Sequence, residues 1–194
     1  MRIVLASSSP RRRELLHFLH RPFDCDVPDI EESRTNGEDP EDYVLRLAND
    51  KALAVAKRQP DECLVIGSDT LIRCDQDVME KPLDFEHFQK MMRQLSGRTH
   101  DVLTSVAVCH WSGQCLVASE SALITTKVEF AALADDDIES YWATGEPQDK
   151  AGGYGIQGYG GKYVKRIEGS YFAVVGLPLY ETEQLLRMFE VTGG

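Results

Sequence analysis

The chain has 194 residues, of which 32 are acidic and 21 are basic, so its formal net charge at pH 7 is −11. This acidic balance opposes a nucleic-acid or anionic-membrane surface as the main partner, although one local cationic pocket would still admit a small anionic ligand. No apolar run is long enough for a signal-peptide core or a membrane span, and the five cysteines show no metal-ligand spacing. We therefore expect a cytoplasmic protein with free thiols, built as one domain over residues 1–194 or as two closely joined lobes.

The N-terminal segment predicts a buried strand followed by an anion-binding corner. Residues 3–6 form a short apolar run, Ser7 begins three consecutive serines, and Pro10 suits the first turn of a helix. The N–H groups of that turn, the serine hydroxyls and the side chains of Arg11 and Arg12 would meet at one place. Arginine binds phosphate bidentately. Consecutive cations that only face solvent would be unexpected in a chain whose net charge is strongly negative. We interpret the corner as a phosphate site, in preference to a capped helix with solvated arginines.

Helices and strands alternate along the rest of the chain, which favours an α/β fold with a mixed central sheet and flanking helices. The pattern predicts further strands at 23–27 and 63–66, a hairpin over 102–130 that turns near Ser112, and a strand at 164–175. It predicts helices at 40–58, at 84–97 with a methionine-rich core face, at 135–142, and from residue 178 onward.

Lys51 has an unusual position on the helix predicted to begin at residue 40. Val44, Leu47, Ala48 and Val55 share its face, so the lysine lies in the middle of the apolar stripe. A lysine that snorkels from the edge of such a stripe is common, but the centre is a poor place for it. A buried ammonium group needs an anionic partner, which a ligand phosphate or a metal-site carboxylate would supply.

Asp69 is a second candidate, because it follows a predicted buried strand and a Gly-Ser pair. Ligands often bind where strands of α/β proteins end, but a turn aspartate that caps a local N–H is an equal alternative. Glu31 and Glu32 lie in an acidic loop of the kind that is usually solvated. Lys81 precedes a proline and is ordinary when taken alone.

Residues 152–161 contain six glycines, with Tyr154, Ile156, Gln157 and Tyr159 between them. A mobile surface loop would seldom carry an isoleucine and two tyrosines. A backbone that approaches a ligand closely and places Gln157 against it fits this composition better. The segment matches neither the dinucleotide fingerprint nor the Walker motif.

Taken in order, these segments make the chain resemble the Maf (septum-formation-like) nucleoside triphosphate pyrophosphatases over nearly its whole length. The segments that carry the resemblance are 5–12 (LASSSPRR), 30–32 (IEE), 46–48 (RLA) with Lys51, 67–70 (GSDT), 80–82 (EKP), 95–97 (LSG) with His100, 149–158 (DKAGGYGIQG), and 169–171 (GSY) followed by 174–179 (VVGLPL). Each is modest alone, but the ordered set is specific.

The resemblance implies an inosine triphosphatase-like fold with two lobes around a nucleotide cleft, a divalent metal (Mg²⁺ or Mn²⁺), and hydrolysis of a nucleoside triphosphate to its monophosphate and pyrophosphate. By position, Asp69 resembles the catalytic carboxylate or general base and, with Glu32, a metal ligand. Arg12, Lys51 and Lys81 resemble phosphate contacts, and Ser7 lies at the same corner. A metal–triphosphate substrate needs these types of side chain, because cations offset its charge and carboxylates hold the metal.

The choice of base is implied by three further positions, since Arg11, Thr70 and Gln157 resemble the branch of the family that hydrolyses dTTP and UTP. A glutamine amide both donates and accepts, so it can pair with the O4 and N3–H edge of uracil or thymine.

The main alternative to an enzyme is a nucleotide-binding regulator of cell division with little turnover. Pure phosphate binding gains nothing from carboxylates that repel the ligand, which disfavours it. The sequence leaves a homodimer open.

Overall fold

The computed structural model describes residues 1–191, and in this part of the chain a mixed β-sheet is flanked by helices. The strands are β1 (Arg2–Ala6), β2 (Asp24–Asp26), β3 (Cys63–Cys74), β4 (Asp77–Met79), β5 (Thr99–Ser112), β6 (Cys115–Phe130) and β7 (Val164–Glu168). The α-helices are α1 (Pro10–His17), α2 (Pro40–Ala56), α3 (Phe85–Leu95), α4 (Asp135–Ala143), α5 (Tyr171–Val175) and α6 (Leu179–Val191). Short 3₁₀ turns cover Glu146–Asp149, Ala151–Gly153 and Tyr159–Tyr163.

The strand order is β2-β1-β3-β5-β6-β7, with β4 paired to β3. β1 runs parallel to both β2 and β3, whereas β3 with β4 and β6 with β7 are antiparallel. β5 and β6 are neighbours joined by two residues, Gly113 and Gln114, which is the hairpin that the sequence predicts. The mixed α/β class is therefore confirmed.

The chain divides into two compact units, in agreement with the two lobes expected from the resemblance. The first unit comprises residues 1–69 and 104–124 together with the chain from Gly176 onward. In its sheet, Leu5 of β1 lies opposite Cys25 of β2 and Ile66 of β3. Its helix α2 begins where Asp39 accepts a hydrogen bond from the Glu41 N–H, and Pro40 occupies the first turn. The buried side chains that form one core cluster of this unit are Val4, Ala6, Ala52, Val55, Ala56, Cys63, Val65, Cys109 and Trp111.

The second unit comprises residues 70–103 and 125–175. Its α3 begins at the N-cap Asp84, whose side chain accepts from the His87 N–H. The predicted methionine-rich face is confirmed as core filling, because Phe88, Met91, Met92 and Leu95 are all buried. Phe88 packs edge-on against Tyr141 of α4, with ring centroids 5.9 Å apart.

Two predicted strand ends are wrong. The strand expected over 63–66 continues to Cys74, since the buried Ser68 hydroxyl finds a backbone partner inside the sheet and an apolar Leu71–Ile72 pair follows. The strand expected over 164–175 stops at Glu168, where Gly169 has a φ of +130° that extended chains do not adopt. The Ser170 hydroxyl then accepts from the Ala173 N–H and starts α5. Within residues 1–191, no helix is both long enough and apolar enough to cross a membrane.

Candidate active site

The corner between β1 and α1 has the arrangement that the sequence predicts. The Ser9 side chain caps α1 by accepting from the Arg12 N–H, and Pro10 follows it in the first turn. Ser7 is buried, and its hydroxyl oxygen accepts from the Ser9 N–H at 3.1 Å. A hydroxyl that accepts in this way keeps its hydrogen for an acceptor such as a phosphate oxygen. The first turn of α1 contains no acidic residue, which leaves the positive end of the helix dipole uncompensated.

Lys51 is the centre of a buried cluster of charges. Its side chain is only 6% exposed, and its Nζ donates to Asp69 Oδ1 at 2.7 Å and to Glu32 Oε2 at 2.9 Å. The side chain of Asp69 is 12% exposed, whereas that of Glu32 is 52% exposed. Both carboxylates therefore converge on one ammonium group, and of the two partners that the sequence left open for Lys51, the structure shows the carboxylates.

Gly67 explains how Lys51 reaches Asp69. A Cβ at Gly67 would lie 2.1 Å from the Ala48 carbonyl oxygen and 2.8 Å from the Ala52 nitrogen, both on the backbone of α2. No larger residue fits, so β3 packs directly on the turn of α2 that carries Lys51. Close packing of strand on helix thus brings the ammonium and the carboxylate within hydrogen-bond distance.

Arg12 connects the corner to this charge cluster. Its Nε donates to the Gly176 carbonyl at 2.9 Å, and the Ser68 Oγ lies 3.0 Å from the same oxygen. Burial lowers the pKa of the Arg12 guanidinium, the negative charge of Asp69 acts in the opposite direction, and the neighbouring Arg11 lowers the pKa further. Arginine stays charged through such shifts, so the site holds a half-buried cation fixed by a backbone carbonyl.

The acidic loop that carries Glu32 is held on the surface of α2. Arg46 donates from its Nε and one terminal nitrogen to both carboxylate oxygens of Glu38, at 2.7 and 2.8 Å, and also to the Ser33 carbonyl at 3.0 Å. These hydrogen bonds from Arg46 lower the pKa of Glu38 to about 2. The Tyr43 hydroxyl donates to the Glu32 carbonyl at 3.2 Å. The loop is exposed, as its acidic composition predicts, and specific contacts with α2 also hold it in place.

The side chains around Lys51 include carboxylates, which are the type of ligand that magnesium and manganese ions take. Among residues 1–191, no group of three or more His, Cys, Asp or Glu side chains is placed to hold a metal. Glu32 and Asp69 lie close together because both contact the Lys51 ammonium group, and Mg²⁺ is commonly bound by one or two carboxylates with water and phosphate oxygens as the remaining ligands. A structural zinc or calcium cage would require more protein ligands.

Within the second unit, the glycine-rich segment and the Lys81 segment are neighbours. The Gly152 N–H donates to the Glu80 carbonyl at 3.0 Å, which ties the start of the segment to the residue before Lys81. Lys81 and Gln157 are both exposed. Thr70 is half-buried and directly follows Asp69 on β3.

A family model described as Maf-like protein matches residues 2–189 of the chain. The chain belongs to the Maf family. It is 70% identical over 193 residues to a dTTP/UTP pyrophosphatase of Idiomarina loihiensis, an alignment that covers 100% of this chain and 98% of the relative. It is 53% identical over 188 residues to a dTTP/UTP pyrophosphatase of Vibrio cholerae, covering 97% of this chain and 98% of that protein. A solved dITP/XTP pyrophosphatase of Mycobacterium abscessus aligns over 84% of this chain and 82% of its own, with 17% identity and a TM-score of 0.43.

The Maf resemblance predicted nine site residues, and the structure brings most of those in the first unit together. Glu32 and Asp69 both contact Lys51, the charge of Arg12 interacts with those of Asp69 and Glu32, and Arg11 acts on Arg12. Ser7 lies at the corner that Arg12 shares. Asp69 is not at a strand end as predicted, because β3 continues through it, but it is buried beside a cation and is not a turn cap. Thr70, Lys81 and Gln157 belong to the second unit, and their roles stay predictions.

Several residues that organise this Maf site were missed by sequence reasoning. Arg46 and Glu38 fix the Glu32 loop, and the Gly176 carbonyl orients Arg12. The only sequence signal for Arg46 and Gly176 was their presence in segments that match the family. Glu38 had no signal, because its role depends on a partner eight residues away along the chain.

Proposed function

We propose that this protein is a metal-dependent nucleoside triphosphate pyrophosphatase that hydrolyses dTTP and UTP to the monophosphate and pyrophosphate. The observation that carries the proposal is the buried Lys51 shared by Asp69 and Glu32. This cluster lies in a chain of the Maf family whose full-length relatives are named dTTP/UTP pyrophosphatases.

The substrate is a polyanion, and the cations of the site suit it. Arg12 is held in place by the Gly176 carbonyl, so little side-chain entropy remains to be lost when its guanidinium binds a phosphate. Lys51 already contacts two carboxylates and can exchange one of them for a phosphate oxygen. We assign the contacts with phosphate oxygens to Arg11, Arg12, Lys51 and Lys81, and a hydroxyl contact to Ser7.

Glu32 and Asp69 would hold Mg²⁺ or Mn²⁺, which when bound neutralises phosphate charge and favours ionisation of water. Asp69 would also orient the attacking water and accept its proton, because its carboxylate is the acceptor held at the centre of the site by Lys51. Lys51 keeps the two carboxylates close together before substrate arrives, so the ligand set needs little rearrangement.

The reaction that follows is attack of water at the α-phosphorus. The bond between the α-phosphorus and the oxygen that bridges to the β-phosphorus breaks, the electron pair leaves with pyrophosphate, and the water proton passes to Asp69. Cations gathered on the β- and γ-phosphates would stabilise the charge that develops on this leaving group. No covalent intermediate with the protein is required.

Base selection is assigned to Gln157, with Thr70 and Arg11 as the other positions that distinguish the dTTP/UTP branch. A site that hydrogen-bonds a base edge rejects bases that leave its polar groups unpaired.

We also propose a cytoplasmic location, because all five cysteines are free thiols, which reducing compartments maintain.

The test is incubation with dTTP, UTP, CTP, ATP and GTP, each with Mg²⁺ or Mn²⁺, in ¹⁸O-labelled water. We expect pyrophosphate from dTTP and UTP, with the label in the monophosphate. A nucleoside diphosphate product or labelled pyrophosphate would refute attack at the α-phosphorus. Tight nucleotide binding without pyrophosphate release under any metal would support the regulator and contradict the enzyme.

A further inference from the structure

The carboxylate of Glu146 accepts hydrogen bonds from the glycine-rich segment, residues 152–161. Its Oε2 accepts from the Tyr159 N–H at 2.8 Å, and its Oε1 accepts from the Gly160 N–H at 3.0 Å. Oε1 also accepts from the Tyr141 hydroxyl at 2.6 Å. One side chain outside the segment therefore binds two consecutive backbone N–H groups within it.

The Tyr141 hydroxyl links Glu146 to the backbone on the N-terminal side of Gln157. Its oxygen accepts from the Gly155 N–H at 3.1 Å while its hydrogen is donated to Glu146. Tyr141 is only 1% exposed and packs in the core of the second unit, so its hydroxyl is a fixed point. The backbone is thus held at Gly155 and at Gly160, and Gln157 lies on the exposed turn between them.

Gly158 permits this arrangement. A Cβ at Gly158 would lie 2.1 Å from Glu146 Oε2, so any side chain there would displace the carboxylate. The glycine is needed because it lets the loop backbone approach a charged group closely. It therefore helps to fix the loop and does not make it mobile.

The charge on Glu146 strengthens the contacts. Burial raises the pKa of Glu146, but hydrogen bonds from Tyr141 and from the Gly160 and Tyr159 N–H groups outweigh this effect and leave the pKa below its ordinary value. The side chain is therefore ionised at neutral pH, and hydrogen bonds to an ionised acceptor are about twice as strong as neutral ones.

We propose that Glu146 is a positioning residue for base selection, which holds residues 155–160 in the conformation that presents Gln157 to a uracil or thymine edge. The inference rests on the proposed function, since it takes Gln157 as the group that reads the base. Glu146 itself contacts no substrate. Its effect on discrimination is exerted wholly through Gln157.

The informative variant is Glu146→Gln. It keeps the size of the side chain but replaces one accepting oxygen with an NH₂ group, which cannot accept from a backbone N–H. Glu139→Gln, at an exposed position on α4, is the matched control for loss of one negative charge. Tyr141→Phe is the second variant, which removes the hydroxyl bridge and retains the ring, and it replaces Glu146→Gln if that protein does not fold.

Two measurements test the proposal. Amide hydrogen exchange of residues 155–161 should accelerate by about tenfold or more in Glu146→Gln, and should not change in Glu139→Gln. The ratio of kcat/KM for UTP over CTP should fall several-fold, mainly through a higher KM for UTP, because a base contact is made in the ground state as well as the transition state. In a Gln157→Ala background, Glu146→Gln should change this ratio by less than about twofold.

Failure of the proposal and failure of the proposed function give different results. The positioning role alone would be overturned if Glu146→Gln left the UTP/CTP ratio of kcat/KM unchanged while Gln157→Ala lowered it. It would also be overturned if Glu146→Gln lowered this ratio equally in the parent and in Gln157→Ala, since the effect would then not pass through Gln157. If wild-type protein hydrolyses UTP and CTP equally, base selection by the proposed function is refuted and the positioning role falls with it. Equal loss of kcat on every nucleotide would also overturn the positioning role, because the effect of Glu146 would not depend on the base.

Discussion

Replacing Lys51 with methionine should destabilise the first unit strongly. The substitution keeps the length and apolar stem of the side chain, so the packing of α2 on β3 changes little. It removes the cation that Asp69 contacts at 2.7 Å, and the side chain of Asp69 is only 12% exposed. A carboxylate left there without its partner has poor access to water.

The expected magnitude follows from burial. Removing one partner of a buried ion pair costs about 3–5 kcal/mol of unfolding free energy, because the other charge remains buried and uncompensated. The contact with Glu32, whose side chain is 52% exposed, should account for no more than about 1 kcal/mol of the effect. The double variant Lys51→Met/Asp69→Asn removes both buried charges, so it should be less destabilised than the sum of its single variants by about 2 kcal/mol or more.

The two tryptophans allow the first unit to be followed separately. Trp111 belongs to the first unit and Trp142 to the second, so fluorescence in a Trp142→Phe background reports on the unit that contains Lys51. Urea unfolding at pH 7 would then give the free energies for each variant. Lys57→Met, at the exposed C-cap of α2 in the first unit, is the matched control and should change stability by less than about 0.5 kcal/mol.

The reasoning would be refuted by a Lys51→Met protein whose stability lies within about 1 kcal/mol of the parent. Additive effects of Lys51→Met and Asp69→Asn would also refute it, because additivity would mean that the two groups do not interact.

Further expectations follow from the same structure. Asp69→Asn should lower kcat by on the order of 10²-fold or more while nucleotide binding stays detectable by calorimetry, and near-parental kcat would contradict its role as base. Arg46→Ala should release the loop that carries Glu32 and raise amide exchange over residues 31–38 by about tenfold. Unchanged exchange would show that the Arg46 pairing does not order that loop. Burial lowers the pKa of His100 to about 4, so the unfolded chain binds a proton more readily, and stability should fall as pH decreases from about 6.5 towards 4 by up to roughly 1.4 kcal/mol per pH unit. His100→Gln should flatten this slope in urea unfolding across that pH range, and an identical slope would exclude His100 as its source.

Local sequence determined the elements and the chemistry of the corner. Pro10 after three serines, and Pro40 after Asp39, set helix starts through N-capping, which depends on residues within one turn. The position of Lys51 in an apolar stripe was also a local property, since helical periodicity alone places it on the buried face. The sequence could therefore say that Lys51 needs an anion.

Only the tertiary structure decided which anion it is. Asp69 and Glu32 are 18 and 19 residues from Lys51 along the chain. Asp69 meets it because Gly67 lets β3 pack on the backbone of α2, and Glu32 meets it because Arg46 and Tyr43 hold its loop on α2. No local pattern encodes that packing. The tertiary structure also decided that β3 continues through Asp69, because a buried polar residue inside a strand is tolerated only when the fold supplies its partner. Glu146 shows the same dependence, since its role is defined by N–H groups 13 and 14 residues away that approach it only in the folded second unit.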